Sequence, residues 1–156
     1  MSMSANGSSR YYIPALGALY SSVESLGLPL LRLGLAVILM AHGAQKLFGM
    51  FGGLGLTGNA ALFDRFGYSP GMFWGTLVGC TETIAGLLLA IGLFTRPAAL
   101  SVVIFMAFAI HFTSAKGFFW TQGGMEFSLL IGLAALVFLV RGGGDYSIDR
   151  SFGKEF

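Results

Sequence analysis

Five ionisable side chains stand inside or at the ends of long apolar runs, where charged groups are uncommon. They are two carboxylates, two imidazoles and one amine, and they belong to His42, Lys46, Glu82, His111 and Glu126. In a low-dielectric environment such groups change one another's proton affinity, which is a property of sites that bind or transfer protons. If the runs pack together, these residues predict a buried polar site that handles protons or binds a polar ligand.

Glu82 is the most informative of the five, because it is the only charged residue between Gly71 and Phe94. A charge at mid-helix costs about 3 kcal/mol even on a lenient insertion scale, so the carboxylate needs a cation, a water-filled cavity or a proton. Helical periodicity puts Glu82 on one face with three glycines, namely Gly75, Gly79 and Gly86. We therefore predict that Glu82 points toward a closely packed helix. The alternative is an interhelical tie that only fixes packing.

The first apolar run offers basic partners for Glu82. Arg32, His42 and Lys46 fall within an arc of about 80° on a helical wheel, so one face carries all three. Together with His111 they are candidate ligand-binding residues, whereas Glu82 and Glu126 are candidates for proton exchange. Snorkelling to lipid headgroups is the alternative for Arg32 and Lys46, and a packing role is the alternative for His42.

The same residues argue against several other chemistries. No His and Glu pair has the i, i+3 or i, i+4 spacing of metal motifs in helix bundles, so no metal site is predicted. Cys80 is the only cysteine, which excludes an internal disulfide and disulfide exchange. The nine Lys and Arg residues are spread along the chain, and this excludes a nucleic-acid-binding protein with a basic stripe.

These side chains must be positioned by elements that cross a lipid bilayer. The chain has 156 residues, of which 55% are hydrophobic and 10% charged, whereas soluble domains carry about 25% charged residues. A bilayer core about 30 Å thick needs roughly 20 apolar residues per helix. Four runs approach this length, at residues 28–48, 71–94, 97–114 and 124–141. We therefore predict an all-α multi-pass membrane protein, built as an antiparallel bundle of four transmembrane helices.

The remaining segments complete the predicted organisation. Residues 1–27 form a flexible or amphipathic segment that lacks the features of a signal peptide, and residues 142–156 form a tail. Basic residues are more frequent on the side that holds both termini, which predicts that both lie in the cytoplasm. The connections at 47–70 and 115–123 are rich in glycine and aromatic residues, so we expect them at the membrane interface.

The chain from about Leu31 to Asp149 resembles the DoxX family of small four-helix membrane proteins of bacteria and archaea. The resemblance rests on LRLGLAVILMAHGAQKLFG in the first run, ETIAGLLLAIGLFTRPAAL across the second run and its turn, the Glu126 position, and the closing GGGDYSID. It implies that a DoxX-like protein would use the residues Arg32, Lys46, Glu82, Thr95, Arg96 and Glu126.

The resemblance also implies a role beside redox chemistry. DoxX-like proteins are associated with quinone-linked oxidation of sulfur compounds and with quinone handling under oxidative stress, often beside soluble redox partners. We therefore expect a bacterial inner-membrane protein without an intrinsic cofactor, which binds a quinone or relays protons for a redox partner. It would act as a membrane subunit of a quinone-linked oxidoreductase rather than as an enzyme by itself. A non-catalytic anchor that recruits a partner protein is the alternative, and a homo-oligomer is compatible with both.

Overall fold

The computed structural model describes residues 11–153, and within that range the chain consists of helices and turns. The predicted all-α class is therefore confirmed. The α-helices are α1 Pro14–Val23, α2 Gly27–Phe48, α3 Gly55–Arg65, α4 Gly71–Ile91, α5 Thr95–Ser114, α6 Glu126–Arg141 and α7 Ile148–Ser151. Short 3-10 turns lie at Glu24–Leu26, Met50–Gly52 and Trp120–Gln122.

Three helical stretches among the described residues are long and apolar enough to cross a membrane. They are Leu19–Phe48, Gly71–Ile91 and Thr95–Ser114. Large apolar side chains point outward from all three, as shown by Val37, Ile84 and Phe108, which are 61%, 56% and 57% exposed. An apolar outer surface of this kind suits contact with lipid. At 16 residues, α6 is only about 24 Å long, so a fourth crossing stays a prediction.

The four longest helices share one core. Helix α4 packs against α2, α3 and α5, while α6 packs mainly against α5 and also contacts α2. Many of the buried core residues are alanines, which let helix backbones approach each other closely. The core consists of Leu35, Ala36, Leu39, Ala85, Leu89, Ala98, Ala99, Val102, Met106, Ile131, Ala135 and Phe138.

The helix ends differ from the predicted ends by a few residues, for identifiable reasons. Helix α4 stops at Ile91 rather than Phe94, because Gly92 adopts a left-handed conformation with φ of 67° that terminates the helix. Helix α5 begins at Thr95 rather than Pro97. A proline is tolerated there, because an N–H in the first turn has no intrahelical acceptor.

Helix α3 lies in the segment where the sequence indicated only a glycine-rich interfacial connection. It packs against α4, and Gly71 N donates a hydrogen bond to Asp64 Oδ1 at 2.9 Å. A Cβ at Gly75 would lie 3.3 Å from Ala60 N, so the glycine face of α4 approaches α3 at this position. Glycine has a low helix propensity, and this concealed the helix in the sequence.

Both ends of the described chain are helical. Helix α1 leads through the turn Glu24–Leu26 directly into α2, so helical structure begins well before residue 28. The segment expected as a C-terminal tail is folded against the bundle, because Gly143, Ser147 and Asp149 are buried. Asp149 N donates a hydrogen bond to Gly92 O at 2.9 Å. The outer parts of the two predicted terminal segments, residues 1–10 and 154–156, lie outside the described residues.

Candidate functional site

Lys46 of α2 and Glu82 of α4 form an ion pair between the two helices. Lys46 Nζ donates hydrogen bonds to both carboxylate oxygens of Glu82, each at 2.7 Å. The Glu82 side chain is 5% exposed and that of Lys46 is 26% exposed. The carboxylate is therefore enclosed by the bundle, while the Lys46 side chain is partly exposed.

Glycines allow the two helices to approach closely enough to form this pair. Gly43 lies one turn before Lys46, and a Cβ there would lie 2.9 Å from Thr83 N. Gly79 lies one turn before Glu82, and a Cβ there would lie 2.6 Å from Leu47 Cδ2. Side chains on helices lean toward the helix N-terminus, so Lys46 near the end of α2 extends back along the helix toward mid-bundle.

The next turn of α4 continues the same close contact. A Cβ at Gly86 would lie 3.1 Å from both Ala36 O and Met40 N of α2. The predicted glycine face of α4 is thus a face of close helix contact, formed with α3 at Gly75 and with α2 at Gly79 and Gly86.

The exposed side of the ion pair has room for one more hydrogen bond. An ammonium group has three N–H donors, and Glu82 accepts two of them. The third can meet a water molecule or a ligand oxygen. His42 lies one turn earlier on α2, is half-buried and interacts electrostatically with Lys46. Its ring centroid is 5.8 Å from that of Phe127 of α6, so His42 borders the site where α2 meets α6.

Glu126 and His111 do not bond to this pair in the described part of the chain. Glu126 Oε2 accepts a hydrogen bond from Trp120 N at 3.1 Å, and Glu126 N donates to Phe118 O at 2.8 Å. Glu126 therefore holds the loop before α6, and His111 is exposed on α5. Of the five residues expected to converge, only Lys46 and Glu82 are joined, with His42 beside them. Periodicity gives the face of a helix but not its rotation in the bundle, which explains the difference.

Arg32 is buried at the opposite end of α2. It lies 14 residues before Lys46, which is about 21 Å along the helix axis, so it is not part of the Lys46–Glu82 site. Its guanidinium donates hydrogen bonds to Gly143 O and, at 2.6 Å, to Tyr146 O. The residue is 3% exposed. Snorkelling to headgroups is therefore wrong for Arg32, and its observed contacts tie the segment after α6 to α2.

Arg32 belongs to a second polar cluster, here called the C-terminal clamp, which consists of Arg32, Thr95, Ser147 and Asp149. The two carboxylate oxygens of Asp149 accept hydrogen bonds from Phe94 N at 2.8 Å and Thr95 N at 2.9 Å. Asp149 also interacts electrostatically with Arg32. Thr95 is buried, and Arg96 follows it in the first turn of α5.

Sequence reasoning did not identify Asp149 and Ser147 as individual site residues. Ser147 Oγ accepts a hydrogen bond from Arg150 N at 3.2 Å and so caps the N-terminus of α7. The signal was present in the Ser-x-Asp of the closing GGGDYSID. A Ser-x-Asp pattern suits a helix start, because a serine hydroxyl caps backbone N–H groups and an acidic side chain favours the first turn.

An apolar cavity of about 350 Å³ lies apart from both polar clusters, between α4 and α5. Six aromatic side chains line it, namely Phe63, Tyr68, Trp74, Phe105, Phe108 and Phe112. From α4 it is lined by Trp74, Leu77, Val78 and Thr81, on a face centred about 90° around the helix from Glu82. Neither Lys46 nor Glu82 is among the residues that line this cavity.

The chemistry available at the ion pair is acid–base chemistry and hydrogen bonding. A buried carboxylate beside an amine can exchange a proton with a ligand that the amine holds. Among residues 11–153, no group of three or more His, Cys, Asp or Glu residues is arranged to hold a metal ion.

Comparison with known proteins identifies one matching family and two similar proteins. The model of the DoxX family matches residues 27–121, which include Arg32, Lys46, Glu82 and Thr95 and end before Glu126. A Haemophilus influenzae protein described as uncharacterized is 32% identical over 136 residues, which cover 82% of this chain and 92% of that protein. An uncharacterized membrane protein of Mycobacterium tuberculosis is 34% identical over 105 residues, covering 59% of this chain and 63% of that protein. No solved structure matches the chain significantly. This chain belongs to the DoxX family.

Proposed function

We propose that the Lys46–Glu82 pair binds a quinone and exchanges protons with it, as part of the membrane component of a redox or oxidative-stress system. One observation carries the proposal. Both oxygens of an enclosed carboxylate accept hydrogen bonds at 2.7 Å from Lys46, whose side chain is 26% exposed. A ligand would approach the pair along this partly exposed side chain.

In the membrane, the four long helices form one antiparallel bundle. Helix α6 crosses the bilayer as the fourth helix of an antiparallel bundle, with the segment before Glu126 extending its short apolar part. Both termini lie on the cytoplasmic side of a bacterial inner membrane. The C-terminal clamp then lies near the cytoplasmic surface, and Lys46 lies nearer the opposite surface, because Arg32 and Lys46 are at opposite ends of α2.

The chemistry follows from the position of the two side chains. The remaining N–H of Lys46 would donate a hydrogen bond to a quinone oxygen, and Glu82 would exchange a proton through Lys46. Burial away from water removes the free-energy advantage of the charged pair over the neutral pair, in which the proton has moved from Lys46 to the carboxylate of Glu82. A quinone takes up two protons and two electrons on reduction. The electrons would come from a partner with a flavin or metal centre, so the chain would serve as a subunit.

The anchor remains the competing interpretation, because an ion pair between α2 and α4 also fixes helix packing. The two interpretations predict different outcomes when both charges are replaced together. Removing both charges from a buried pair is often neutral or stabilising, whereas removing one leaves a buried charge without a partner. If the chain is an anchor, the variant without either charge would still assemble with its partner and would lose no function. If the pair binds a quinone, the same variant would lose quinone binding.

The test is retention of decylubiquinone by the purified protein in lipid nanodiscs, measured by native mass spectrometry. The variants are Glu82→Gln and the double variant Lys46→Met with Glu82→Gln. Asp145→Asn is the matched control, because Asp145 is half exposed and pairs with Arg150 away from the site. We expect the bound-quinone mass in the native protein and the control, with at least a tenfold loss in the double variant. Equal retention in a folded double variant, or no retention by the native protein, would contradict the proposal.

A further inference from the structure

A second cavity extends the apolar cavity along the same two helices. It also has a volume of about 350 Å³, and it shares Leu77, Thr81 and Ser101 with the first. The two cavities therefore form one groove, here called the α4–α5 groove, which is lined on α4 from Trp74 to Leu88. Neither part includes Lys46 or Glu82 in its lining.

The groove is long enough to hold the part of an acyl chain that lies within one bilayer leaflet. From Trp74 to Leu88 is 14 residues along α4, which is about 21 Å at 1.5 Å per residue. The hydrocarbon region of one bilayer leaflet is about 15 Å thick, half of the bilayer core. An extended acyl chain that enters from one leaflet can thus lie lengthwise in the groove.

The two hydroxyl groups in the middle of the groove already donate hydrogen bonds within their own helices. Thr81 Oγ1 donates a hydrogen bond to Leu77 O at 2.8 Å, and Ser101 Oγ donates to Ala98 O at 2.7 Å. The mid-groove lining thus presents its hydrocarbon surface and has no hydroxyl hydrogen left for a carbonyl oxygen. This chemistry favours an unsubstituted hydrocarbon chain.

The two ends of the groove differ. Tyr68 and Trp74 lie at the end where α4 begins, with ring centroids 5.8 Å apart and an interplanar angle of 83°. Tyrosine and tryptophan are the aromatic residues enriched at headgroup level in membranes, because their rings are apolar and their tips are polar. Leu88, Pro97 and Ala98 line the other end. The polar end of a lipid therefore suits the Tyr68 end, with the terminal methyl toward Leu88.

The groove opens sideways to the bilayer. Leu77, Ile104 and Phe108 line it and are 46%, 51% and 57% exposed, and both α4 and α5 are long and apolar enough to span a membrane. Water does not fill apolar cavities readily, and at this depth the surrounding medium consists of acyl chains. We propose that the α4–α5 groove holds one acyl chain of a membrane phospholipid.

The test uses Trp74 as a reporter inside the groove. The chain has two tryptophans, so Trp120→Phe leaves Trp74 alone. This variant in detergent is titrated with a phosphatidylcholine whose acyl chain carries bromine near its ester end, close to the level of Trp74. Bromine is a contact quencher of tryptophan. We expect quenching that saturates at about one lipid per chain. Ala109→Phe fills the groove lining and should abolish saturable quenching, while Ala107→Phe, exposed on α5 and outside the lining, should preserve it.

Alkylation of Cys80 provides a second measurement in the otherwise native chain, because Cys80 is the only cysteine and lines the groove. Unbrominated phosphatidylcholine should slow its alkylation by N-ethylmaleimide several-fold, and it should not do so in a folded Ala109→Phe protein. Ser101→Leu serves the same purpose if Ala109→Phe does not fold. Unsaturable quenching that is equal in the groove and control variants would overturn the proposal. Saturable quenching by decylubiquinone but not by the brominated lipid would also overturn the proposal, because the groove would then bind a quinone ring rather than an acyl chain.

Discussion

Asp149 caps the start of α5 from 54 residues further along the chain, because its carboxylate accepts the backbone N–H group of Thr95 at 2.9 Å. Its other oxygen accepts the N–H of Phe94 at 2.8 Å, and the residue is 7% exposed. Phe94 itself has φ of 48°, an uncommon conformation for a residue other than glycine. The turn between α4 and α5 is thus held by a side chain that folds back from beyond α6.

Replacing Asp149 should therefore destabilise the protein. Asp149→Ala removes two hydrogen bonds to backbone groups and leaves Arg32 without its acidic neighbour. We expect a loss of about 2–4 kcal/mol from the combined cap and charge contributions, measured as a lower thermal midpoint in detergent. Asp145→Ala is the control, because the Asp145–Arg150 pair is exposed and such pairs contribute about 0–1 kcal/mol. Similar midpoints for the two variants would contradict the capping role.

Arg32→Met should open the same clamp from the other side. The carbonyl groups of Gly143 and Tyr146 would lose their donor, and Asp149 would lose a compensating charge. Breaking a buried charged network by removing one member costs about 3–5 kcal/mol. Hydrogen exchange should rise mainly at residues 142–151. Unchanged exchange in this segment would show that Arg32 does not hold it.

The contact between α2 and α4 should be sensitive to a single methyl group at Gly43. A Cβ there would collide with Thr83 Oγ1 and lie 2.9 Å from Thr83 N. We expect Gly43→Ala to cost about 1–3 kcal/mol through overpacking and to weaken the Lys46–Glu82 pair. Gly34→Ala on the same helix meets nothing within 4 Å and should be neutral or stabilising by up to about 1 kcal/mol. Thermal unfolding of both variants decides the matter, and equal midpoints would refute the close approach.

Glu126 should act on its loop and not on the ion pair. Glu126→Gln weakens the hydrogen bond from Trp120 N, so we expect a destabilisation of about 0.5–1.5 kcal/mol and faster hydrogen exchange at residues 117–125. Decylubiquinone retention should stay within twofold of the native value. A large loss of retention without loss of fold would restore Glu126 as a proton-exchanging residue.

Local features were predictable from the sequence, and distant pairings were not. Three of the four apolar runs predicted to cross the membrane correspond to helices long and apolar enough to do so, and the glycines of α4 correctly predicted the closely packed face that carries Glu82. Helix α3 was not predicted, because glycines dominate the residues on either side of it. The C-terminal clamp was not predicted, because contacts such as that between Arg32 and Gly143 join residues 111 positions apart, and no periodicity relates them.

The candidate site shows the same division between local and distant information. Lys46 and Glu82 could be nominated because each lies on a polar or small-residue face of its own helix. Their contact, and the separation of Glu126 and His111 from it, depend on how the helices are rotated in the bundle. That rotation is fixed by interhelical packing at residues such as Gly43 and Thr83.

The central claim, proton exchange at Glu82, is tested most directly by infrared difference spectroscopy of the protein in nanodiscs. Spectra with decylubiquinone and with its reduced form are compared for the native protein, Glu82→Gln and Glu126→Gln. We predict a protonated carboxyl C=O stretching band that changes between the two ligand states, is absent in Glu82→Gln and persists in Glu126→Gln. A native protein with no carboxyl band that depends on Glu82 in either ligand state would contradict the account and leave the Lys46–Glu82 pair as a packing tie.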